Sequence, residues 1–302
     1  MVQPSNANHS NGLTEEQFLQ SYDASQFERP SATVDMLIFT VMNKEQSNYR
    51  KLSAKKLQLL LVKRAEHPYL GQWALPGGFV AIDEAIDAAA HRVLKKEANI
   101  DGIYMEQLYT WGDVERDPRT RVISCSYMAL ADRTLLDVQA GDLEAEAAWF
   151  EVDFETLQTE QVRQDDRNET TQWIKLTLGR EDDHLDAVLK VTRVTSGRNT
   201  QITREISQVS GIAFDHAKII EYAIERLRNK IEYTSIAFQL MPPLFTLTEL
   251  QQVYEVVLGK ELLPAAFRRK MADMVVETDE FTKDAGHRPS RLFRFNADWI
   301  GR

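Results

Sequence analysis

The sequence predicts an α+β protein in two parts: a mixed sheet covered by helices, then a small C-terminal unit of two helices and a β-hairpin. Three observations carry this. Two apolar runs, 32–42 and 57–62, precede a glycine-rich turn and an amphipathic helix, and strand-like runs resume behind it. That is the order of a mixed sheet with packed helices. A second amphipathic stretch, 214–232, closes this part, and Thr246, Gly259 and Pro264 then punctuate two short helices.

The chain has 302 residues and a formal net charge of −10. It is long enough for two domains, and its acidic balance confines any nucleic-acid surface to a local basic patch. Cys125 is the single cysteine, so no internal disulfide can form, which fits a reduced, cytoplasmic setting. Apolar runs such as Leu59-Leu60-Leu61-Val62 are far shorter than the ~20 residues of a membrane helix, so no membrane partner is expected. The six histidines are scattered, without zinc spacing. Residues 1–29 read as a polar tail, with no signal-peptide core, and a short helix at 13–22 that ends before Pro30.

Val34, Met36, Leu37, Ile38, Phe39 and Val41 suit a buried first strand, and Leu57 to Val62 a second. Leu75-Pro76-Gly77-Gly78 then leads to a helix whose Ile86, Ala89, Ala90, Val93 and Leu94 form a core-facing stripe. Gly78, Glu84, Arg92, Leu94, Glu97 and Ile100 also fall on the register of the Nudix box, which this stretch resembles. In that family carboxylates three and four residues apart share a helix face and hold Mg²⁺ against a diphosphate. Here Val93 and Lys96 replace two of them and only Glu97 remains, so the resemblance implies a decayed box without a catalytic residue or a metal. Asn99 stands where the box has its second glycine and tolerates a left-handed C-cap.

Behind the box, the run from Tyr109 to Arg121 crowds Arg116, Arg119 and Arg121 into one turn between two strands. Two readings stand: a phosphate clamp of guanidinium forks, or a hairpin turn whose Arg and Asp residues pair with each other. The run resembles a segment of Nudix proteins of the ADP-ribose type, with Thr120 in place of a glycine, and the resemblance favours the clamp. A strand is expected at 144–152 and a loop at 155–168. Alternating segments at 173–178, 187–194 and 201–209 complete a β-meander inserted over about 156–213, either a dimer contact or a packing flap.

The helix at 214–232 gathers Arg226, Arg228 and Lys230 near its C-terminus, where the helix dipole favours cations. Thr246 and Glu249 form a capping box with Phe245 and Leu250 as its staple, and the helix stops at Gly259. A second helix starts at Pro264, turns Phe267, Met271 and Met274 inward, and carries Arg268, Arg269 and Lys270. Strands at 275–278 and 291–295 flank a basic tip with Arg288, and together these elements make a winged helix-turn-helix. A small dimerisation or protein-binding module is the alternative for this tail.

Joined, the two parts resemble the Nudix-related transcriptional regulators of NAD metabolism. The resemblance implies an α/β/α Nudix sandwich at 30–232 and a winged helix at 233–302. It implies a homodimer that senses ADP-ribose or a related nucleotide and binds double-stranded operator DNA. On this reading Arg116, Arg119 and Arg121 meet the phosphates, Lys96 replaces the missing metal charge, and Trp73 or Trp111 lies near the base. Arg268, Arg269, Lys270, Arg288 and Arg291 grip DNA, and no cofactor is required. The competing reading is an Mg²⁺-dependent ADP-ribose pyrophosphatase using Glu84, Glu97 and an outside acid from Glu144, Glu146 or Glu169.

Overall fold

The structure is a computed structural model that describes residues 13–43, 54–99, 102–136, 147–181, 183–282 and 289–300. Glu144, Glu146 and Arg288 therefore lie outside the described residues. The chain opens with helix α1 (Glu15–Ser21), started by a Thr14–Gln17 capping box. One mixed sheet then dominates. Its strands are β1 (Ser31–Asn43), β2 (Lys55–Lys63), β3 (Trp73–Ala74), β4 (Gly77–Phe79), β5 (Tyr104–Trp111) and β6 (Val122–Leu130). It continues through β7 (Ala147–Gln164), β8 (Arg167–Arg180), β9 (Asp183–Ser196) and β10 (Asn199–Ser210). The order is β10-β9-β8-β7-β2-β1-β6-β5, with β3 beside β2 and β4 beside β1. Only the β1–β6 pair is parallel among these ladders.

Strand alternation sorts β1 between two cores. Val34, Met36 and Ile38 face helix α2 (Ile86–Ala98), whose Ala89, Ala90, Val93 and Leu94 pack against them. Leu37, Phe39 and Val41 face the opposite core, which includes Ile219, Ile220, Ala223, Ile224 and Leu227 of helix α3 (His216–Ile231). This is the α/β/α sandwich. Full burial of Val93 and Leu94 contributes about 1.5–3 kcal/mol each, so the aliphatic at the position of a box carboxylate serves the core. Asn99 ends α2 with φ 52° and ψ 36°, its N–H bonded to the Lys95 carbonyl, the left-handed cap expected of it.

The meander is a direct continuation of the main sheet, and the loop expected at 155–168 is strand. β7 runs through to Gln164 and turns at Asp165 (φ 46°) straight into β8. The outer half of β7 is exposed on both faces, so its side chains show no alternation. Its strand state is held by backbone pairing with β8, a partner invisible to local pattern. α3 packs on the far strands of the meander, where Arg204 of β10 pairs with Glu221 at 2.5 Å and also with Glu225, and Arg193 of β9 reaches Glu225 at 2.8 Å.

The C-terminal unit has helix α4 (Leu247–Leu258), helix α5 (Pro264–Met271) and a two-stranded wing, β11 (Val275–Phe281) with β12 (Arg291–Phe295). The capping box forms as read: Thr246 N–H donates to Glu249 Oε2 at 2.8 Å, and Glu249 N–H donates to Thr246 Oγ1 at 3.2 Å. Phe245 adds a bridge to Phe293 that ties the helix start to the wing. Leu250, Val253, Tyr254 and Val257 of α4 join the same core as α3 and β2. Arg228 of α3 seals the joint: its guanidinium lies over Phe154 at 4.5 Å and its Nε donates to the Val257 carbonyl at 2.9 Å. Gly259 (φ +68°) sits so close that an added Cβ would lie 2.9 Å from Arg228 Nη2. Among the described residues no helix is long and apolar enough to cross a membrane.

Candidate ligand cleft and DNA-binding face

A cleft of about 590 Å³ opens where β1, the end of β2, the glycine-rich entry to α2, the arginine turn and the start of α3 converge. Its volume suits a small-molecule ligand. Lys96, Arg116 and Arg119 line it, and so do Gly78, Asp35, Lys63, Arg64, Phe79, Glu97, Asp117, Phe214 and His216. Gly77 is required at its floor, because a Cβ there would stand 2.7 Å from the Val34 carbonyl and 2.9 Å from Asp35 Oδ1.

Beneath the cleft lies a buried charge network. Arg116, only 9 % exposed, gives Asp215 two hydrogen bonds of 2.9 and 3.1 Å and Asp35 one of 3.2 Å. Burial pulls its pKa down, but the two carboxylates outweigh that and raise it overall. Asp35 also accepts from Ser124 Oγ at 2.6 Å. His216 accepts the Leu75 N–H on Nδ1 at 2.9 Å, which requires the neutral ring with its proton on Nε2. Burial pushes its pKa down, in keeping with that tautomer. The arrangement pins the first turn of α3 to β1 and to the arginine turn.

The three arginines of the turn have different fates. Arg116 is the buried tie just described. Arg119 lines the cleft, pairs with Asp117 through Nε at 3.0 Å and Nη2 at 2.8 Å, and lies over the Phe79 ring at 5.8 Å. Arg121 does not line the cleft; it binds the carbonyls of Gly112 and Asp113 at 2.8 and 3.0 Å. Arg–Asp pairing and a cleft-lining guanidinium thus coexist in one turn. Trp73 and Trp111, expected near a base, are core residues 3 % and 7 % exposed, and neither lines the cleft. Trp73 packs on Phe150, and Trp111 donates its indole N–H to Ser126 Oγ at 3.0 Å. The exposed aromatic of the cleft is Phe79, at 51 %.

The carboxylates of the box are committed elsewhere. Glu84 takes a two-point bond from Arg92, 2.8 Å at both oxygens, and Arg92 also reaches the Phe79 carbonyl at 3.0 Å. This staple closes the loop onto α2. Glu97 pairs with Lys96 at 2.9 Å at the cleft edge. Glu169 pairs with Arg167 near the turn between β7 and β8 and does not line the cleft. Among the described residues no three His, Cys, Asp or Glu side chains gather around a common point for a metal ion. The ammonium of Lys96 stands beside Glu97, the one acid left on the box helix, and opposes a cation there.

Hydrogen bonds from Arg92 hold the Glu84 carboxyl down at about 2, below its ordinary 4.5. The staple is therefore at full strength above pH 4.5 and is lost as pH falls through about 2. The expected NMR titration of the Glu84 carboxyl carbon has its midpoint near pH 2 and returns toward the ordinary carboxylate value in Arg92→Ala. An ordinary midpoint in the unchanged protein would contradict the staple.

On the C-terminal unit, Phe267 and Met271 bury one side of α5, and Arg268, Arg269 and Lys270 stand exposed on the other. Arg291 of the wing is also exposed; it pairs with Glu277 at 2.5 Å and lies over Phe281 at 5.5 Å. Glu255 Oε1 accepts from the Leu262 N–H at 2.9 Å and fixes the turn before α5.

Residues 50–176 match the NUDIX domain family, and residues 237–295 match the NrtR DNA-binding winged helix domain. An ADPR responsive transcriptional repressor, NtrR, from Acinetobacter baylyi is 34 % identical over 94 % of this chain and 90 % of its own length. The chain belongs to the NrtR family of Nudix, winged-helix transcriptional regulators. Among solved structures, NrtR of Shewanella oneidensis with a 27mer DNA is 27 % identical, with TM-score 0.57 over 88 % of this chain and 93 % of that one. A MutT/nudix family protein of Enterococcus faecalis is also 27 % identical, with TM-score 0.66 over 94 % of each chain. The degenerate Nudix domain is a sensor in place of a hydrolase, and the protein is a ligand-responsive regulator with a DNA-binding winged helix.

Within this NrtR-type framework, sequence reasoning missed Asp35, Arg64, Phe214, Asp215 and His216. Asp35 did leave a signal: a lone carboxylate in the apolar run Val34-Asp35-Met36-Leu37 must find a partner when buried. Phe214-Asp215-His216 had none beyond standing at the head of an apolar helix.

Proposed function

We propose that this regulator binds ADP-ribose, or a closely related nucleotide carrying a diphosphate, in the cleft beside α2, and that occupancy changes the grip of a homodimer on operator DNA. The observation that carries the reading is the cleft itself, where the glycine-rich entry and the arginine turn meet with cations in place of clustered carboxylates. Arg119 and Lys96 meet the phosphates, Arg116 braces the floor, and Phe79 is the aromatic surface open to a base. No divalent ion is needed, since Lys96 supplies charge where the box has lost its acids. The name of the Acinetobacter relative, an ADPR responsive repressor, supports the ligand assignment.

For DNA, exposed Arg268, Arg269 and Lys270 with Arg291 of the wing supply the phosphate and base contacts; Arg288, expected at the wing tip, belongs to the same proposal. α3 links the two ends, since His216 at its start lines the cleft and Arg228 near its end holds α4. A ligand that prefers one setting of that link shifts operator affinity.

A thermal-shift and footprinting pair tests this. ADP-ribose at 100 times its Kd raises stability by about 2.7 kcal/mol, with or without EDTA. The footprint on a palindromic operator changes at the same concentrations. No thermal shift and no protected palindrome at any ligand level would end the reading.

A further inference from the structure

We propose that Arg64, which lies outside both the glycine-rich box and the arginine turn, is the second arm of a diphosphate grip whose first arm is Arg119. The assignment rests on the nucleotide reading of the cleft given above and adds the residue that makes the cleft select two phosphates over one.

Both guanidiniums line the cleft, and each rests against a phenylalanine: Arg64 on Phe214 at 4.8 Å, Arg119 on Phe79 at 5.8 Å. Their partners differ. Arg119 is satisfied by the Asp117 carboxylate. Among the described residues Arg64 is held by main-chain carbonyls, with Nε donating to Pro68 at 2.6 Å and Nη2 to Glu66 at 3.4 Å. Among the described residues no carboxylate forms an ion pair with it. A fixed, half-buried guanidinium held by carbonyls keeps its positive charge and one edge for an anion, and its planar fork matches phosphate oxygens.

The stage under Arg64 is itself fixed. Phe214 adopts φ +53°, a region that aromatic residues rarely occupy, and Tyr69 packs on it at 4.6 Å. Burial lowers the pKa of Arg64, and the charge of Arg119 lowers it further, against partial offsets from Asp117 and Glu66. Arg64 thus feels the charge of Arg119 even with Asp117 beside it, and an anion bridging the two guanidiniums relieves it. A diphosphate spreads its two charges over adjacent groups, one for each fork, whereas the single phosphate of AMP carries its charge on one group and presents nothing to a second fork.

Calorimetry on the full chain with ADP-ribose and with AMP tests the assignment. Arg64→Gln weakens ADP-ribose binding about 10- to 100-fold, the worth of one charge-assisted contact, and weakens AMP by less than about threefold. Arg64→Lys, which keeps the charge and loses the fork, lies between the unchanged chain and Arg64→Gln for ADP-ribose. It carries the test if Arg64→Gln melts lower without ligand. Equal ADP-ribose affinity in the unchanged chain and both variants overturns the role of Arg64 and leaves the nucleotide reading standing. An unchanged chain that binds no ADP-ribose removes both.

Discussion

Asp215→Ala destabilises the protein by about 3–5 kcal/mol, because it leaves the buried guanidinium of Arg116 with Asp35 as its one carboxylate partner. In chemical denaturation the midpoint falls at unchanged slope, and the melting temperature drops by roughly 10 °C. Adding Arg116→Leu and Asp35→Asn to Asp215→Ala recovers part of this loss, since no charge of the trio is then left buried without its partner. The substitution also frees the first turn of α3 from the arginine turn, so the response to nucleotide weakens in the same variant. A loss below about 1 kcal/mol would place Arg116 in water and contradict the buried network.

Removing Arg268 and Arg269 together has its effect on DNA and almost none on folding. Both are exposed on α5 opposite the buried Phe267 and Met271, so their truncation to alanine leaves stability within about 0.5 kcal/mol. Operator affinity falls about 100-fold, and the slope of log K against log salt becomes shallower by about 2 if both guanidiniums meet phosphates. Fluorescence anisotropy on a labelled duplex across a salt series reads both quantities. Unchanged affinity and slope would move the DNA contact away from α5.

Local chemistry made much of this molecule legible. The apolar runs of β1 and β2, the stripe on α2, the Asn99 cap and the Thr246–Glu249 box are written within a few residues of sequence, and each forms as read. What failed depends on partners distant in the chain. The outer half of β7 has no apolar face, and only β8 makes it a strand. Trp73 and Trp111 were expected at the ligand because large aromatics serve both core and recognition, and here the core claimed them. Arg116, Arg119 and Arg121 look alike in sequence, yet one pairs across about a hundred residues with Asp215, one with Asp117 two positions away, and one with main-chain carbonyls. Arg64 drew no notice because its aromatic support, Phe214, arrives from the far side of the meander.

The Arg228 bond to the end of α4 has a thermodynamic corollary. Since α3 touches the nucleotide cleft at its head and the reading unit at its tail, the two equilibria form a closed cycle. Whatever factor the nucleotide imposes on the operator constant, the operator must impose on the nucleotide constant. On the proposed function, an operator-bound regulator therefore meters a different concentration of nucleotide from one free in solution, and the same gene can be set to a different threshold by operator strength alone.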